Sequence, residues 1–255
     1  MQVAAAVVQP EQRDEFELPD SHGWVRLMVD GSLGARHLVE RVFRFEPGHT
    51  PDLHNETSDD VMYVVSGSGS LDAGGASIEL VPGTACWVPA GVGYHIENEG
   101  PHDLVVLSVL SPPPGEPPLP EPTDDVPHRY SVHQDEQPVE TAGEDRTFRL
   151  LVDPTMGCRS VTQFVGEIDA IPAPPHTHTH EEIVFVLAGD GTVEIGGEVH
   201  PIGPGTSVFL PPGVEHRLTS AGRESLELLG VFSPPGSPAA KEDGADATGS
   251  AGGSS

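Results

Sequence analysis

The sequence contains few basic residues. Lys and Arg number 12 against 40 Asp and Glu, so the formal net charge is −28 at pH 7. Phosphate contacts and anionic lipid surfaces both require clustered Lys and Arg, so this balance excludes nucleic acid and membrane surfaces as expected partners. No stretch approaches the run of about 18 apolar residues that a membrane helix needs. The acidic excess by itself indicates solubility.

Cysteine and aromatic residues are also scarce. Two cysteines, Cys86 and Cys158, are too few for a disulfide framework, and we interpret both as buried small residues in a reducing compartment. The N-terminal apolar run at residues 3–8 is short and has no basic residue before it, so no secretory signal is predicted and a cytoplasmic location is expected. Aromatic residues make up only 5%, so the core must depend on Val, Leu and Ile.

Turn-forming residues and short apolar runs are abundant. The chain has 30 Gly and 27 Pro among 255 residues. Between them lie runs such as VMYVV (61–65), IVFVL (183–187) and SVFLP (207–211). No segment shows a helical period over three turns. Short Val-rich runs bounded by turn residues predict an all-β fold.

An internal repeat organises the chain. VMYVVSGSGSLDAGG (61–75) matches IVFVLAGDGTVEIGG (183–197) at an offset of 122, and VRLMVD (25–30) matches FRLLVD (148–153) at 123. A register held over some 90 residues indicates two copies of a whole domain. The sequence therefore predicts an N-terminal domain (1–115), a Pro-rich linker (116–127), a C-terminal domain (128–237) and a disordered tail (238–255).

The second copy contains a pattern of metal-ligating residues. His176 and His178 are two residues apart, which on a strand places both imidazoles on one face. Glu182 follows after a short turn, and His216 stands just beyond Pro211-Pro212-Gly213. Imidazole nitrogens with one carboxylate suit a borderline divalent ion. The pattern predicts a metal site formed by His176, His178, Glu182 and His216.

These residues resemble the cupin family. Its first half-motif is Gly, five residues, His-x-His, three or four residues, Glu, six residues, Gly, and its second is Gly, five residues, Pro-x-Gly, two residues, His, three residues, Asn. The second copy departs from them at Ala170, in the place of the leading Gly, and at Ser220, in the place of the Asn. The resemblance implies two tandem double-stranded, jelly-roll-like β-barrels with the metal inside one of them. It places His180 in a hairpin turn, facing solvent or beside the ligands. The matching positions are His176, His178, Glu182, Gly189, Gly205, Pro211, Gly213 and His216.

The same positions have changed in the first copy. His54 is retained, but Glu56, Asp60 and Tyr94 stand where the second copy has His178, Glu182 and His216. Two interpretations stay open. The set His54, Glu56, Asp60 and Tyr94 is a second, oxygen-rich site for a harder ion, or it is an altered site retained for packing. His95, next to Tyr94, is expected on the opposite face of the strand.

The resemblance to two-domain cupins also implies a function. The leading hypothesis is a small-molecule enzyme of the dioxygenase type, similar to quercetinases, that acts through the metal of the C-terminal domain, with Glu182 as the candidate catalytic base. The alternatives are a cupin isomerase or decarboxylase, and a non-catalytic module that binds metal or a metabolite. The expected cofactor is a divalent ion, for which Fe, Mn, Ni, Cu, Co and Zn all fit the ligand set. The expected partner is a small-molecule substrate, and a homodimer is compatible with the sequence.

Overall fold

A computed structural model describes residues 4–19, 21–50, 52–119, 129–142, 146–169, 174–222 and 225–239. The predicted linker falls largely outside these residues, and the predicted tail almost entirely so. No helix in the described ranges is long and apolar enough to cross a membrane. The helices found there are short 3₁₀ turns at Pro10–Gln12, Gly31–Leu33, Gln134–Glu136 and Pro154–Met156.

Strands make up the rest of the regular structure. In the first half they are β1 (Ala6–Val8), β2 (Glu15–Glu17), β3 (Gly23–Val29), β4 (Val39–Phe45), β5 (Gly48–His49), β6 (Leu53–His54), β7 (Asp59–Ser66), β8 (Gly69–Ala73), β9 (Ala76–Leu80), β10 (Thr84–Val88), β11 (Gly93–Asn98) and β12 (Leu104–Ser111). In the second half they are β13 (Ser131–His133), β14 (Glu140–Thr141), β15 (Arg146–Val152), β16 (Thr162–Ile168), β17 (Glu181–Ala188), β18 (Gly191–Ile195), β19 (Glu198–Ile202), β20 (Ser207–Leu210), β21 (His216–Ser220) and β22 (Leu226–Ser233).

The strand bounds follow the sequence repeat. β17 begins 122 residues after β7, and β18, β19 and β22 keep the same offset from β8, β9 and β12. β15 and β16 lie 123 residues after β3 and β4, so the one-residue shift falls between β4 and β7. The described residues form two seven-stranded sheets, one centred on each half of the chain, and two smaller sheets of five and three strands. The predicted all-β fold of two jelly-roll-like barrels is confirmed.

The two barrels exchange their first strands. β1 pairs antiparallel with β20, so residues 6–8 lie at the edge of the large C-terminal sheet. β13 pairs in the same way with β10, so residues 131–133 lie at the edge of the large N-terminal sheet. The strands of each large sheet therefore do not all come from one of the linear segments 1–115 and 128–237. The bounds of these two segments stay a prediction.

The core has three parts, one inside each barrel and one between them. Met62 and Val64 of β7 face the interior of the N-terminal barrel, whereas Val61 and Tyr63 face the large C-terminal sheet. On β17, Ile183 takes part in the same shared core. The central strands are thus buried on both faces. This double burial explains why their sequences are continuous apolar runs instead of alternating patterns.

Glu40 and Gln163 are two of the polar side chains that are buried between the barrels. Glu40 on β4 and Gln163 on β16 occupy equivalent positions in the repeat, and both are fully buried. Neither carboxyl oxygen of Glu40 nor either amide atom of Gln163 has a hydrogen-bond partner. Burial raises the pKa of Glu40 to about 7, and the nearby Ser207 hydroxyl offsets only part of that rise. The shared core therefore contains a carboxyl group that favours its neutral form.

Glu40 is expected to make the protein less stable as the pH rises. Between the unfolded pKa near 4.5 and the folded value near 7, the folded protein holds a proton that the unfolded chain releases, so stability falls across this interval. The cost at pH 8 is about 3 kcal/mol. We expect Glu40→Gln to raise the melting temperature at pH 8 and to leave it nearly unchanged at pH 5. The exposed Glu79 of β9 provides a control, because Glu79→Gln should leave the pH profile as it is. Equal profiles for wild type and Glu40→Gln would contradict this assignment.

Candidate metal centre

Two strands and one extended segment of the C-terminal barrel bring the predicted ligands together. Glu182 is the second residue of β17, and His216 is the first residue of β21. His176 and His216 exchange two backbone hydrogen bonds, each of 3.0 Å. The backbone N–H of Gly213 donates to the carbonyl of His178 at 2.8 Å. Backbone pairing therefore fixes the His-x-His segment against the turn that precedes His216.

The three predicted histidines form one compact cluster. The ring centroids of His176, His178 and His216 lie 4.6–4.8 Å apart. Their ligating nitrogens lie within 4.8 Å of one another. Glu182 joins the cluster through His178, since Oε2 of the carboxylate lies 3.0 Å from Nε2 of the imidazole. The structure thus brings the three histidines together and places the Glu182 carboxylate against one of them, His178.

The site lowers the pKa of its histidines. Burial is the main cause of the lowered pKa of His176, which falls to about 4, and the charges of His216, Arg146 and His178 lower it further. Burial also lowers the pKa of His216, against an opposing effect of Glu182. At neutral pH these two imidazoles are therefore neutral, which is the form that ligates a metal.

Glu182 is ionised in the same environment. Burial by itself raises its pKa, but the hydrogen bond from His178 and the charges of the surrounding imidazoles outweigh burial and bring the pKa to about 2. A buried carboxylate among imidazoles is a donor set that fits a divalent cation. Nδ1 of His216 lies 2.9 Å from the carbonyl of Val214, which leaves Nε2 for the metal. The residues present therefore fit the metal that the sequence pattern predicts.

His180 lies closer to the cluster than a solvent-facing turn residue would. Its ring stacks on His178 at 4.5 Å and on Phe232 at 4.3 Å. His178, His180 and Glu182 form a second group whose ligand atoms lie within 4.8 Å of one another. His178 belongs to both groups, so it is the central imidazole of the site. The alternation of half-buried histidines at 176, 178 and 180 with exposed residues at 177 and 179 produces this arrangement.

A neighbouring carboxylate anchors the start of β17. Glu181 is buried and accepts hydrogen bonds of 2.9–3.0 Å from the backbone N–H groups of Arg36, His37 and Leu38. These donors belong to the N-terminal half of the chain. The repeat-related Asp59 makes the reciprocal contact, because it accepts a hydrogen bond of 2.7 Å from Ser160. Contacts with the opposite half of the chain therefore anchor β17 at the residue before Glu182 and β7 at the residue before Asp60.

The equivalent point of the N-terminal barrel is occupied by a buried ion pair. Asp60 is fully buried and accepts from Nη2 of Arg41 at 2.8 Å, from Ser108 at 2.6 Å and from Tyr94 at 2.9 Å. Asn55 donates a further bond of 3.1 Å. Burial, followed by the charge of Asp60, raises the pKa of Tyr94, so its hydroxyl stays protonated and donates. The guanidinium supplies the positive charge that this carboxylate needs.

The other two residues of the predicted second site lie elsewhere. His54 is exposed, with Nε2 3.3 Å from the carbonyl of Gly91, and Glu56 is exposed as well. His95 lies apart from Tyr94 and contacts Asp72, with 3.1 Å between Nε2 and Oδ2. The structure therefore brings Asp60 and Tyr94 together without His54 or Glu56. The second metal site stays a prediction, which a metal count will test.

Arg41 and Arg146 are the residues that sequence reasoning missed. At the repeat position of Arg41 the C-terminal barrel has Phe164, whose ring packs over Gly230 so closely that a Cβ there would lie 2.2 Å from it. The available signal for Arg41 was a basic residue directly before the largely apolar strand segment VFRF (42–45). Arg146 lies 30 residues before His176, with Nη1 3.5 Å from its Nε2. No short motif links the two, so only the folded chain reveals that contact.

The profile of the cupin domain matches the chain twice, at residues 41–110 and 168–232, which together exceed half of its 255 residues. Among curated proteins, L-ectoine synthase of Vibrio campbellii is 39% identical over 61 residues, which are 24% of this chain and 48% of that protein. L-ectoine synthase of Vibrio atlanticus is 34% identical over 96 residues, or 36% of this chain and 70% of that protein. The chain spans about half the length of the first of these relatives.

Solved structures of low identity share the fold over nearly the whole chain. Protein Ylba of E. coli has a TM-score of 0.74 at 15% identity and covers 90% of both chains. Oxalate decarboxylase of Lactobacillus farciminis, solved as a formate complex, has a TM-score of 0.73 at 16% identity and covers 92% of this chain and 87% of that one. These likenesses extend across both barrels.

Proposed function

The chain belongs to the cupin family, and from that premise we propose that it is a metal-dependent enzyme acting on a small molecule in the C-terminal barrel. The observation that carries this proposal is the convergence of His176, His178 and His216 with the buried carboxylate of Glu182. These four residues would hold a divalent ion, and the ion would supply Lewis-acid polarisation of a substrate oxygen.

The chain's own residues have separate tasks in this proposal. The imidazoles of His176 and His216 are kept neutral by burial and hold the ion. Glu182 is the ionised carboxylate of the centre, and in this proposal it is also the candidate catalytic base. His178 is half-buried, so the cluster is accessible from solvent on its side. We propose a lyase-type reaction, which the names of the synthase and decarboxylase relatives support.

The dioxygenase-type reaction is the second candidate. The observation that favours it is the nitrogen-rich ligand set, since three imidazoles and one carboxylate also suit redox-active iron or copper. Oxygen uptake separates the two candidates. A lyase consumes no oxygen when the metal-loaded protein turns over small acids such as oxalate, whereas a dioxygenase consumes it with enolic or catecholic substrates. Small-ligand binding with no turnover of either class would instead indicate a binding module.

We expect one tightly bound divalent ion per chain. Chelation should abolish turnover and lower the melting temperature without unfolding the protein, because each barrel has its own apolar core and the metal adds only its binding free energy. Elemental analysis and thermal unfolding with and without EDTA measure both effects. Two ions of similar affinity would contradict the single site and restore the set His54, Glu56, Asp60 and Tyr94. Unfolding in chelator at room temperature would contradict the independence of the cores.

A further inference from the structure

The strand that carries Glu182 begins in a contact with the other half of the chain. Glu181 is the first residue of β17 and is 2% exposed. Its Oε1 accepts hydrogen bonds from the backbone N–H groups of His37 at 3.0 Å and Leu38 at 2.9 Å, and its Oε2 accepts one from Arg36 at 2.9 Å. Successive backbone N–H groups form a concave site for an anion. Both carboxylate oxygens are thus held by residues 143–145 positions earlier in the chain.

The segment that donates these hydrogen bonds is itself fixed at both ends. Gly34 ends the 3₁₀ turn Gly31–Leu33 in the left-handed region, with φ 93°. Leu38 is fully buried in the core between the barrels. The side chains of Arg36 and His37 are exposed, so the contact with Glu181 depends on the backbone and on the turn that precedes it.

The position of Glu182 depends on this contact. Side chains of consecutive strand residues point to opposite faces, so Glu181 faces the N-terminal half while Glu182 faces the histidine cluster. Glu182 pairs with both neighbouring strands, at Leu210 and Phe232, whereas Glu181 pairs with β22 alone. Strand ends open more easily than strand centres. The carboxylate of Glu181 therefore supplies an anchor on the side where the strand pairing stops.

We propose that Glu181 is a positioning residue for the metal centre, so that the backbone of residues 36–38 in the N-terminal half determines how tightly the C-terminal barrel holds its ion. The inference rests on the proposed function, because it requires a divalent ion at the cluster that includes Glu182. Glu181 belongs to neither ligand group. It fixes the point at which the chain enters β17, and with it the placement of the Glu182 carboxylate against His178.

The repeat provides a matched contact without the histidine cluster. Asp59 is the first residue of β7, and it accepts hydrogen bonds from Ser160 at 2.7 Å and from the backbone N–H of Ala90 at 3.1 Å. The next residue, Asp60, is paired with Arg41. The turn before Ser160 also ends in a left-handed glycine, Gly157, with φ 106°. Loss of the Asp59 contact should therefore loosen the two halves without displacing a metal ligand.

The test compares Mn²⁺ affinity with stability on the full chain. Mn²⁺ binding is followed by the EPR signal of the free ion, the geometry of the site by the EPR spectrum of the bound ion, and stability by thermal unfolding without metal. The variants of the anchor are Glu181→Gln and Glu181→Ala, with the controls Asp59→Asn and Asp59→Ala. Gly34→Ala strains the turn before residues 36–38 and leaves Glu181 itself unchanged, and Gly157→Ala is its control.

All six variants should melt below the wild type, but the metal effects should separate them. Glu181→Gln retains one acceptor oxygen and places an amide N–H₂ opposite a backbone N–H, so its Mn²⁺ affinity should fall less than that of Glu181→Ala. We expect losses of about threefold to thirtyfold across the two, as for substitutions that act on a site without contacting its ligand. The spectrum of the bound Mn²⁺ should change in both. Gly34→Ala should lose affinity in the same direction, whereas the Asp59 variants and Gly157→Ala should bind Mn²⁺ as the wild type does.

Each other outcome overturns a defined part. Unchanged Mn²⁺ affinity and an unchanged bound spectrum in both Glu181 variants would reduce Glu181 to a contact that only stabilises the fold. Equal losses of affinity in the Glu181 and Asp59 variants would show a general loosening of the chain in place of positioning. Weak binding in the Glu181 variants with normal binding in Gly34→Ala would remove the role of residues 36–38. Failure of the wild-type protein to bind Mn²⁺ or any other divalent ion would remove the proposed function, and this inference with it.

Discussion

Replacing His178 by alanine is expected to empty the metal site. His178 is the imidazole shared by both ligand groups, and it lies 3.0 Å from the carboxylate of Glu182. Its loss removes a metal ligand and also the hydrogen bond that keeps Glu182 ionised. Changes in the partners of metal ligands cost about 10–100-fold in affinity, so loss of a ligand itself should cost at least the upper value. His176→Ala and His216→Ala should each lose most of the metal as well.

The two candidate ligand groups that share His178 predict different metal contents for the variants of His180 and His176. If the ion is held by His176, His178, Glu182 and His216, then His180→Ala retains the metal and Glu182→Gln retains more metal than the histidine variants, because an amide oxygen still coordinates weakly. Glu182→Gln should nevertheless slow turnover if the carboxylate moves a proton. Metal content and rate are measured on the whole set. An empty site in His180→Ala with a full site in His176→Ala would move the ligand set to His178, His180 and Glu182.

Tyr94→Phe provides the control in the other barrel. It removes the hydroxyl that donates to Asp60 at 2.9 Å and touches none of the C-terminal ligands. Metal content should therefore stay at the wild-type value. A loss of metal in Tyr94→Phe would show that the N-terminal cluster takes part in metal binding.

The repeat made most of the fold predictable. Strands that carry matching sequence, such as β7 and β17, begin 122 residues apart, and the shift to 123 seen between residues 25–30 and 148–153 recurs in β3 and β15. The exchange of β1 and β13 was not predictable, because short strands at sheet edges have weak sequence patterns and their pairing is decided by tertiary contacts. The core between the two barrels could not be predicted either, because its composition depends on how the two large sheets pack against each other.

The ligand pattern of the candidate site was visible because backbone spacing determines it. His-x-His places two imidazoles on one face, and the turn before His216 is specified by Pro and Gly. The charges around that pattern were not visible. Arg146 and Arg41 reach their partners across strands that are distant in sequence, with Arg41 19 residues from Asp60 and Arg146 30 residues from His176. Spacing motifs report neighbours along one strand, so such cross-barrel cations appear only in the folded chain.

Replacing Arg41 by methionine is expected to destabilise the protein strongly. Asp60 is fully buried, and Arg41 is the cation that balances its charge, with 2.8 Å between Nη2 and Oδ2. Removing one partner of a buried pair leaves an uncompensated charge and typically costs about 3–5 kcal/mol. Methionine fills much of the volume of the arginine stem, so the loss reports mainly the charge. The melting temperature of Arg41→Met, measured by circular dichroism, should fall well below that of wild type at pH 7.

Two further variants identify the cause of that loss. The double variant Arg41→Met with Asp60→Asn removes the buried charge and should recover much of the stability. Arg44 on the same strand pairs with Glu15 at 3.0 Å on a more exposed surface, so Arg44→Met should cost about 1 kcal/mol or less. If Arg41→Met is no less stable than Arg44→Met at pH 7, or if the double variant recovers nothing, then Arg41 does not supply the positive charge of the N-terminal barrel.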